Sequence, residues 1–277
     1  DGRIAELTSG RDPRRIFAEW LITPENPWFA RNIVNRVWYW LLGQGIIHEP
    51  DDIRPENPAQ NADLLQWMEQ ELISAGYDLK HIYRLILNSK TYQLSSIPKT
   101  HHPDGGRHFA FYNMRRLDAE VLIDALCQIT GTAEEYSSPI PEPFTWVPPH
   151  QRSIALADGS ITSTFLEMFG RPSRDTGLEL ERSNKPSAAQ RLHMLNSTHI
   201  QRKIERSSKL RKLVQSSSGN QREAIAKIYL TILSRLPAEQ EIRLVEQYAK
   251  TEEGQGTAAL TDLTWALFNS VEFLYRH

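Results

Sequence analysis

An all-α fold is predicted for this 277-residue chain by three observations. Apolar residues recur at helical spacing over most of its length. Asn, Ser, Asp or Pro stands where those stretches begin, and Gly where several of them end. Runs of alternating polarity are scarce, with only residues 154–156 reading as a short strand.

Taken in order, Asn26 is the expected cap and Pro27 the first residue of a helix running to about Leu42. Ile33, Val34, Val37, Trp38, Trp40 and Leu41 share its apolar face, while Arg31, Asn32, Asn35, Arg36 and Tyr39 fill the other. Gly43 and Gly45 stop it. Asn57-Pro58 opens a second helix through Leu64, Leu65, Met68, Leu72 and Ile73, halted at Gly76. Asp78 caps a third, with Leu79, Ile82, Leu85 and Ile86 inward, ending near Asn88-Ser89. The short gap between these two predicts an antiparallel hairpin.

Residues 97–116 read as a loop rich in His, Gly and Pro, after which Asp118 starts a helix to Gly131. From 132 to about 182 the periodicity fails, and prolines at 139, 141, 143, 148, 149 and 172 break any helix. A segment this long without regular structure is usually functional or packed across another surface. Helices resume over 187–196, continue through Ile204 to Val214, and then run over 220–235, 238–250 and 257–270, with 216–220 as a turn. One helical domain over 1–277 is expected, sharing one core, with parts at 1–131, 132–182 and 183–277. Three helices end in Asn-Ser, at 88–89, 196–197 and 269–270. The expectation is a left-handed Asn at each end, with Tyr92 and Phe273 folding back on the helix.

Composition is that of a globular protein, 40% hydrophobic and 24% charged, with a net charge of −2. No basic stripe of the kind that binds nucleic acid is visible. No apolar run is long enough for a membrane span. The chain opens at Asp1-Gly2-Arg3 in what reads as mid-protein sequence, without a leader. Its single cysteine, Cys127, excludes an internal disulfide framework and a C-x-x-C pair, and reads as a small buried hydrophobe.

Candidate binding residues fall in two places. Arg31, Asn32, Asn35 and Arg36 line one helix face, where guanidiniums and amides can clamp a carboxylate, a sulfate or a sugar edge. The structural alternative, which outweighs it, ties them to neighbouring loops, with Asp51 and Asp52 as partners. Arg171, Arg174, Asp175, Glu179, Glu181 and Arg182 form a second charged region, with Phe144, Trp146 and Phe165 as a stacking surface for a polar polymer. Its structural alternative is a loop fastened by salt bridges. Trp146 is singled out because the other tryptophans fall at core spacing.

His101, His102, Asp104 and His108 have metal-ligand residue types, but a loop with Gly105-Gly106 is a poor cage and no metal site is assigned. His48-Glu49-Pro50-Asp51-Asp52 lacks the second histidine of a zinc-binding H-E-x-x-H. Asp118 and Glu120, two apart, do not face each other on a helix, so capping and the helix dipole account for them better than acid–base chemistry. No nucleophile elbow, phosphate-binding glycine loop or dinucleotide fingerprint occurs, and no cofactor is expected.

Several longer strings are specific: Asn26-Pro27-Trp28-Phe29-Ala30-Arg31-Asn32-Ile33-Val34-Asn35-Arg36-Val37-Trp38, Gly43-Gln44-Gly45, Pro50-Asp51-Asp52 and Leu64-Leu65-Gln66-Trp67. Gly76-Tyr77-Asp78-Leu79-Lys80, Leu87-Asn88-Ser89-Lys90-Thr91-Tyr92, Arg115-Arg116-Leu117-Asp118-Ala119-Glu120 and Leu192-His193-Met194-Leu195-Asn196-Ser197 join them, as does the tail from Asp262 to Phe273. With these the chain resembles the planctomycete-specific uncharacterised domain family. The resemblance implies a C-terminal part of a large exported, extracytoplasmic protein, preceded by another domain and often accompanied by a cytochrome-c-like one. It assigns no catalytic residue. The chain departs from the pattern at Ser234-Arg235-Leu236-Pro237, where relatives look like Gly-Arg-Pro-Pro, and a softened turn is expected there.

The expectation is therefore a non-catalytic helical binding or scaffolding module of an exported multidomain protein. Its expected partners are other domains of the same protein or a polysaccharide. One alternative is a polysaccharide hydrolase using carboxylates of the 171–182 loop or Asp51 and Asp52. A second is a docking partner for a cytochrome-c-like domain.

Overall fold

The computed structural model describes residues 10–100, 102–141, 145–157, 159–172, 178–183, 185–217 and 219–276. The fold is all-α. Among the described residues β structure amounts to two two-residue strands and one isolated bridge, Ser137 with Thr162. Contacts divide the chain into two units, the described residues through Met114 and Arg115–Arg276.

The first unit holds α1 (Pro13–Leu21), α2 (Phe29–Leu42), α3 (Ala62–Ser74) and α4 (Leu79–Leu87). Asn26 does cap the approach to α2: its Oδ1 accepts the amides of Trp28 at 2.9 Å and Phe29 at 3.3 Å, and the helix proper begins just after them. Val34, Val37, Trp38 and Leu42 are buried against Leu65, Met68 and Leu72 of α3 and Ile82 and Ile86 of α4. Trp40, placed on the apolar face by spacing, is 40% exposed. α3 starts at Asn61 rather than at Asn57-Pro58, because Asn61 Oδ1 takes the Leu64 amide at 3.0 Å. Asp78 caps α4 through the Lys80 amide at 2.9 Å. α1 has no counterpart in the sequence expectation and buries none of its residues.

In the second unit, β1 (Arg115–Arg116) pairs antiparallel with β2 (Tyr275–Arg276), Arg115 opposite Arg276. The central element is α5 (Ala119–Thr130), which ends on left-handed Gly131. It carries Leu122, Ile123 and Leu126, none of them measurably exposed, into a core shared with the helices that follow. Those helices are α6 (Thr164–Met168), α7 (Ala188–Asn196), α8 (Thr198–Glu205), α9 (Ser208–Gln215), α10 (Gln221–Leu233), α11 (Glu239–Tyr248), α12 (Ala258–Phe268) and α13 (Val271–Leu274).

The stretch from 132 to 182 is not featureless. Residues Ser153–Ala155 form a 3-10 turn instead of the expected strand. Asp124, on α5, accepts the amides of Ser153 at 2.7 Å and Ile154 at 3.1 Å, so a buried carboxylate caps this turn from a distant helix. Gly170 sits at φ 92° with Ser183 so close that a Cβ would meet its carbonyl oxygen, and the Ser183 amide donates to Gly170 O at 3.0 Å. Only glycine fits there.

The three Asn-Ser pairs work differently from the expectation. Asn88 and Asn269 both have right-handed helical dihedrals, and Asn196 is the last residue of α7. The serine carries the common feature. Ser89, Ser197 and Ser270 each accept, through Oγ, the amide three residues on: Tyr92 at 3.1 Å, Ile200 at 3.3 Å and Phe273 at 3.2 Å. Each therefore caps the next turn of chain. Ser197 both ends α7 and caps α8, so no loop separates those helices.

Candidate functional site

The segment after α5 and the α7–α8 pair line an open cavity of about 710 Å³ in the second unit, with polar side chains set among apolar surface. Its wall on one side is Thr132–Ser137 and Ser163–Phe165; on the other it is His193, Thr198, His199, Arg202, Lys203 and Arg206. Ser197 sets this second wall, because the corner it makes brings His193 on α7 next to His199 on α8.

Glu134 anchors the site. Its side chain is 7% exposed and receives His199 Nε2 at 2.9 Å and Lys203 Nζ at 3.0 Å. Lys203, equally buried, also donates to Ala133 O at 2.9 Å and to Cys127 Sγ at 3.3 Å. His199 Nδ1 lies 3.2 Å from His193 Nε2, so Glu134, His199 and His193 are strung in series. Phe165 and Phe169, stacked at 4.1 Å, hold His193 edge-on at 5.7 and 6.0 Å. Burial pushes the Glu134 carboxyl up, but the hydrogen bond from His199 and the charges of His199 and Lys203 outweigh it and hold it below its ordinary value. Burial, aided by the charge of His199, holds His193 below its ordinary value against the pull of Glu134. Cys127 goes the other way: burial raises its thiol, with Lys203 opposing, so it is not an activated nucleophile.

Arg202 and Arg206 are exposed at the cavity and enter no ion pair among the described residues. Three cations there face two carboxylates, Glu134 and Glu135, among hydroxyls from Thr132, Ser137, Ser163, Thr164 and Thr198. The arrangement sets guanidinium and hydroxyl donors beside a buried carboxylate–histidine chain. Among the described residues no group of three His, Cys, Asp or Glu converges as metal ligands.

Residues 13–249 match a family described as PSD1, protein of unknown function (DUF1553). The chain belongs to that family. No curated protein and no solved structure matches it.

In this PSD1 chain the sequence-predicted residues are distributed as follows. Asn35 is fully buried and bridges the backbone of Ile47, donating to its carbonyl at 3.0 Å and accepting its amide at 2.9 Å. Arg31 pairs with Glu69 at 2.7 Å and Arg36 with Asp51, while Asp52 pairs with Arg54 at 3.0 Å. Arg171 and Arg182 converge on buried Glu120 of α5. Arg182 is bidentate at 2.8 and 3.0 Å, and Arg171 lies at 3.6 Å with a further hydrogen bond to Ile161 O. Burial opposes the Arg182 charge, yet the Glu120 contacts raise it above its ordinary value. Asp118 makes no capping bond; its carboxylate takes Arg276 at 2.8 Å. Glu181 is exposed and Trp146 is 61% exposed. Arg174, Asp175, Phe144 and His101 lie outside the described residues.

The tryptophans depart from expectation: of seven, only Trp38 is buried, and the others are at least 36% exposed. Trp265 also lines a separate apolar groove of about 840 Å³ with Leu244, Tyr248 and Leu195. The residues that build the polar cavity, Glu134, His193, His199 and Lys203, were not singled out in the sequence. The available signal was two histidines six apart around a Ser cap.

Proposed function

We propose that this chain is a non-catalytic helical binding module for an anionic, hydroxyl-rich polymer, of the chemical class of sulfated polysaccharides. The setting implied by the sequence resemblance, a part of an exported and extracytoplasmic multidomain protein, belongs to this reading. The observation that carries it is the pair Arg202 and Arg206. Arg31, Arg36, Arg171, Arg182, Arg222 and Arg235 are each engaged by a carboxylate. Arg202 and Arg206 instead stand exposed beside a cavity of hydroxyls with no ion pair among the described residues. Guanidiniums with unspent donors, one helical turn apart, match sulfate or carboxylate groups on a chain of sugars.

The hydrolase alternative draws less support. Two carboxyl groups about 5–10 Å apart and free to act are the requirement for glycoside hydrolysis. Asp51, Asp52 and Glu179 are each within ion-pair reach of an arginine.

Titration of the chain with dextran sulfate and with neutral dextran tests the reading. Dextran sulfate is expected to raise the melting temperature and neutral dextran to leave it unchanged, with the gain falling as salt rises. Arg202→Gln with Arg206→Gln is expected to remove the gain while leaving the unliganded melt in place. Equal behaviour of the two polymers, or no response to either, overturns it.

A further inference from the structure

The apolar groove of the second unit is open and carries charge of one sign. Leu195 of α7, Leu244 and Tyr248 of α11 and Trp265 of α12 line it, and all four are exposed, Leu244 at 68%. α8 serves two sites: Arg202 and Arg206 line the polar cavity, while Gln201, Ile204 and Glu205 line this groove. Among the described residues three carboxylates lie along the groove, Glu205, Glu241 and Asp262, and no lysine or arginine does. Glu241 is taken by Arg235 at 2.8 Å. Glu205 and Asp262 are exposed and enter no ion pair among the described residues. Glu205 accepts the Gln201 amide at 2.8 Å and Asp262 the Tyr248 hydroxyl at 2.7 Å, bonds that orient each carboxylate and leave it further acceptor capacity.

The first unit carries the opposite kind of surface. α1 buries none of its residues. Ile16, Phe17, Trp20 and Leu21 share one of its faces, with Phe17 58% exposed and its ring 5.7 Å from that of Trp20. At 100° per residue Arg14 borders this stripe beside Leu21. Residues 11–21 hold three arginines against two acids. Arg14 pairs with Asp12 in solvent, and Arg15 comes no nearer than 4.0 Å to Glu19. Exposed pairs of this kind contribute little and are readily exchanged for another carboxylate.

We infer that α1 of one copy of this chain docks into the apolar groove of a second copy. Phe17 and Trp20 are the anchors, covered by Leu244, Tyr248 and Trp265, and Arg14 and Arg15 reach Glu205 and Asp262. The mode is an amphipathic helix laid in a groove, with an apolar stripe meeting apolar walls and arginines meeting unpaired carboxylates. Stripe and groove leave water together, which drives the contact. Aromatic and arginine side chains are also the types that carry most of the binding energy at protein interfaces. Every copy holds both surfaces, so a reciprocal exchange fills two grooves and closes on a two-fold axis; the expected product is a dimer. Neither Arg202 nor Arg206 takes part, so this contact stands apart from the binding reading above.

Sedimentation of the full chain over a range of concentration tests the inference. A concentration-dependent dimer is expected. Phe17→Glu and Leu244→Glu are each expected to be monomeric where the wild type is dimeric, with unchanged melts because both side chains are exposed. Glu205→Gln with Asp262→Asn is expected to raise the dissociation constant several-fold. The Phe17→Glu chain keeps a competent groove and the Leu244→Glu chain a competent α1. Mixed together with different carboxy-terminal fluorophores, they are expected to show energy transfer that neither variant shows with itself. A wild type that stays monomeric throughout, a dimer that survives either substitution, or a mixture without transfer overturns the inference. So does a monomeric chain that floats with phosphatidylglycerol vesicles and loses them in Phe17→Glu, an outcome that would give α1 a lipid surface instead.

Discussion

Lys203 and Glu134 meet at 3.0 Å, each with a side chain only 7% exposed. A pair this buried is costly to break from one side, because the remaining charge is left without a partner. Lys203→Met and Glu134→Gln are each expected to destabilise the chain, the lysine change by about 3–5 kcal/mol and the neutral isostere by less. The double variant is expected to recover part of that loss, read by chemical denaturation. The pair also sets an acid limit. Glu134 titrates lower in the folded chain than its ordinary 4.5, so it adds stability above that value. That stability is lost as pH falls through the lower folded value. Stability below about pH 4.5 should therefore fall more steeply in the wild type than in Glu134→Gln.

Asp124 holds two backbone amides of the 3-10 turn at Ser153–Ala155 while itself nearly buried. Asp124→Ala leaves both amides unsatisfied, and a loss of about 1–3 kcal/mol is expected. Proteolytic nicking should appear first near residues 145–157, the segment the carboxylate fastens. A variant that melts normally and resists protease would show that other contacts hold the segment.

Ser234 ends α10 at φ 56°, in the left-handed region. A side chain there is strained, and glycine is not. Ser234→Gly is expected to stabilise by about 0.5–1 kcal/mol, seen as a melting temperature a few degrees higher. A lower melting temperature would mean that the serine side chain makes a contribution larger than its backbone strain.

Six tryptophans lie on the surface, from Trp265 at 36% to Trp146 at 61% exposed. Most of the intrinsic emission should be quenched by iodide, leaving a shielded fraction that disappears in Trp38→Phe. Emission that resists iodide in the wild type would contradict these exposures.

How legible this molecule is in its sequence depends on the range of the interaction. Local chemistry reads through: Asp78 before α4, Gly43 and Gly131 after α2 and α5, and Ser187 before α7 stand where a cap or stop belongs. Two asparagines four residues apart, Asn57 and Asn61, offer the same signal, and only the bond to Leu64 decides between them. α1 carries its own marks, Asp12 capping Arg14, Pro13 first in the helix and Ile16, Phe17, Trp20 and Leu21 at helical spacing, yet it buries none of its residues. Periodicity gives the side of a helix and not its depth, which is why Trp40 and Trp67 look like core and are exposed. The polar cavity is less legible still. Glu134 reaches His199 across 65 residues and Cys127 reaches Lys203 across 76, distances at which no spacing rule operates.

The junction at Ser197 acts as a gauge block. Because one residue separates α7 from α8, the gap between His193 and His199 is machined into the main chain and not negotiated by flexible side chains. Adding a single residue there would swing α8 by about 100° about its axis. His199 would leave its neighbours on both sides at once, and Lys203, one turn further along the same helix, would swing away with it.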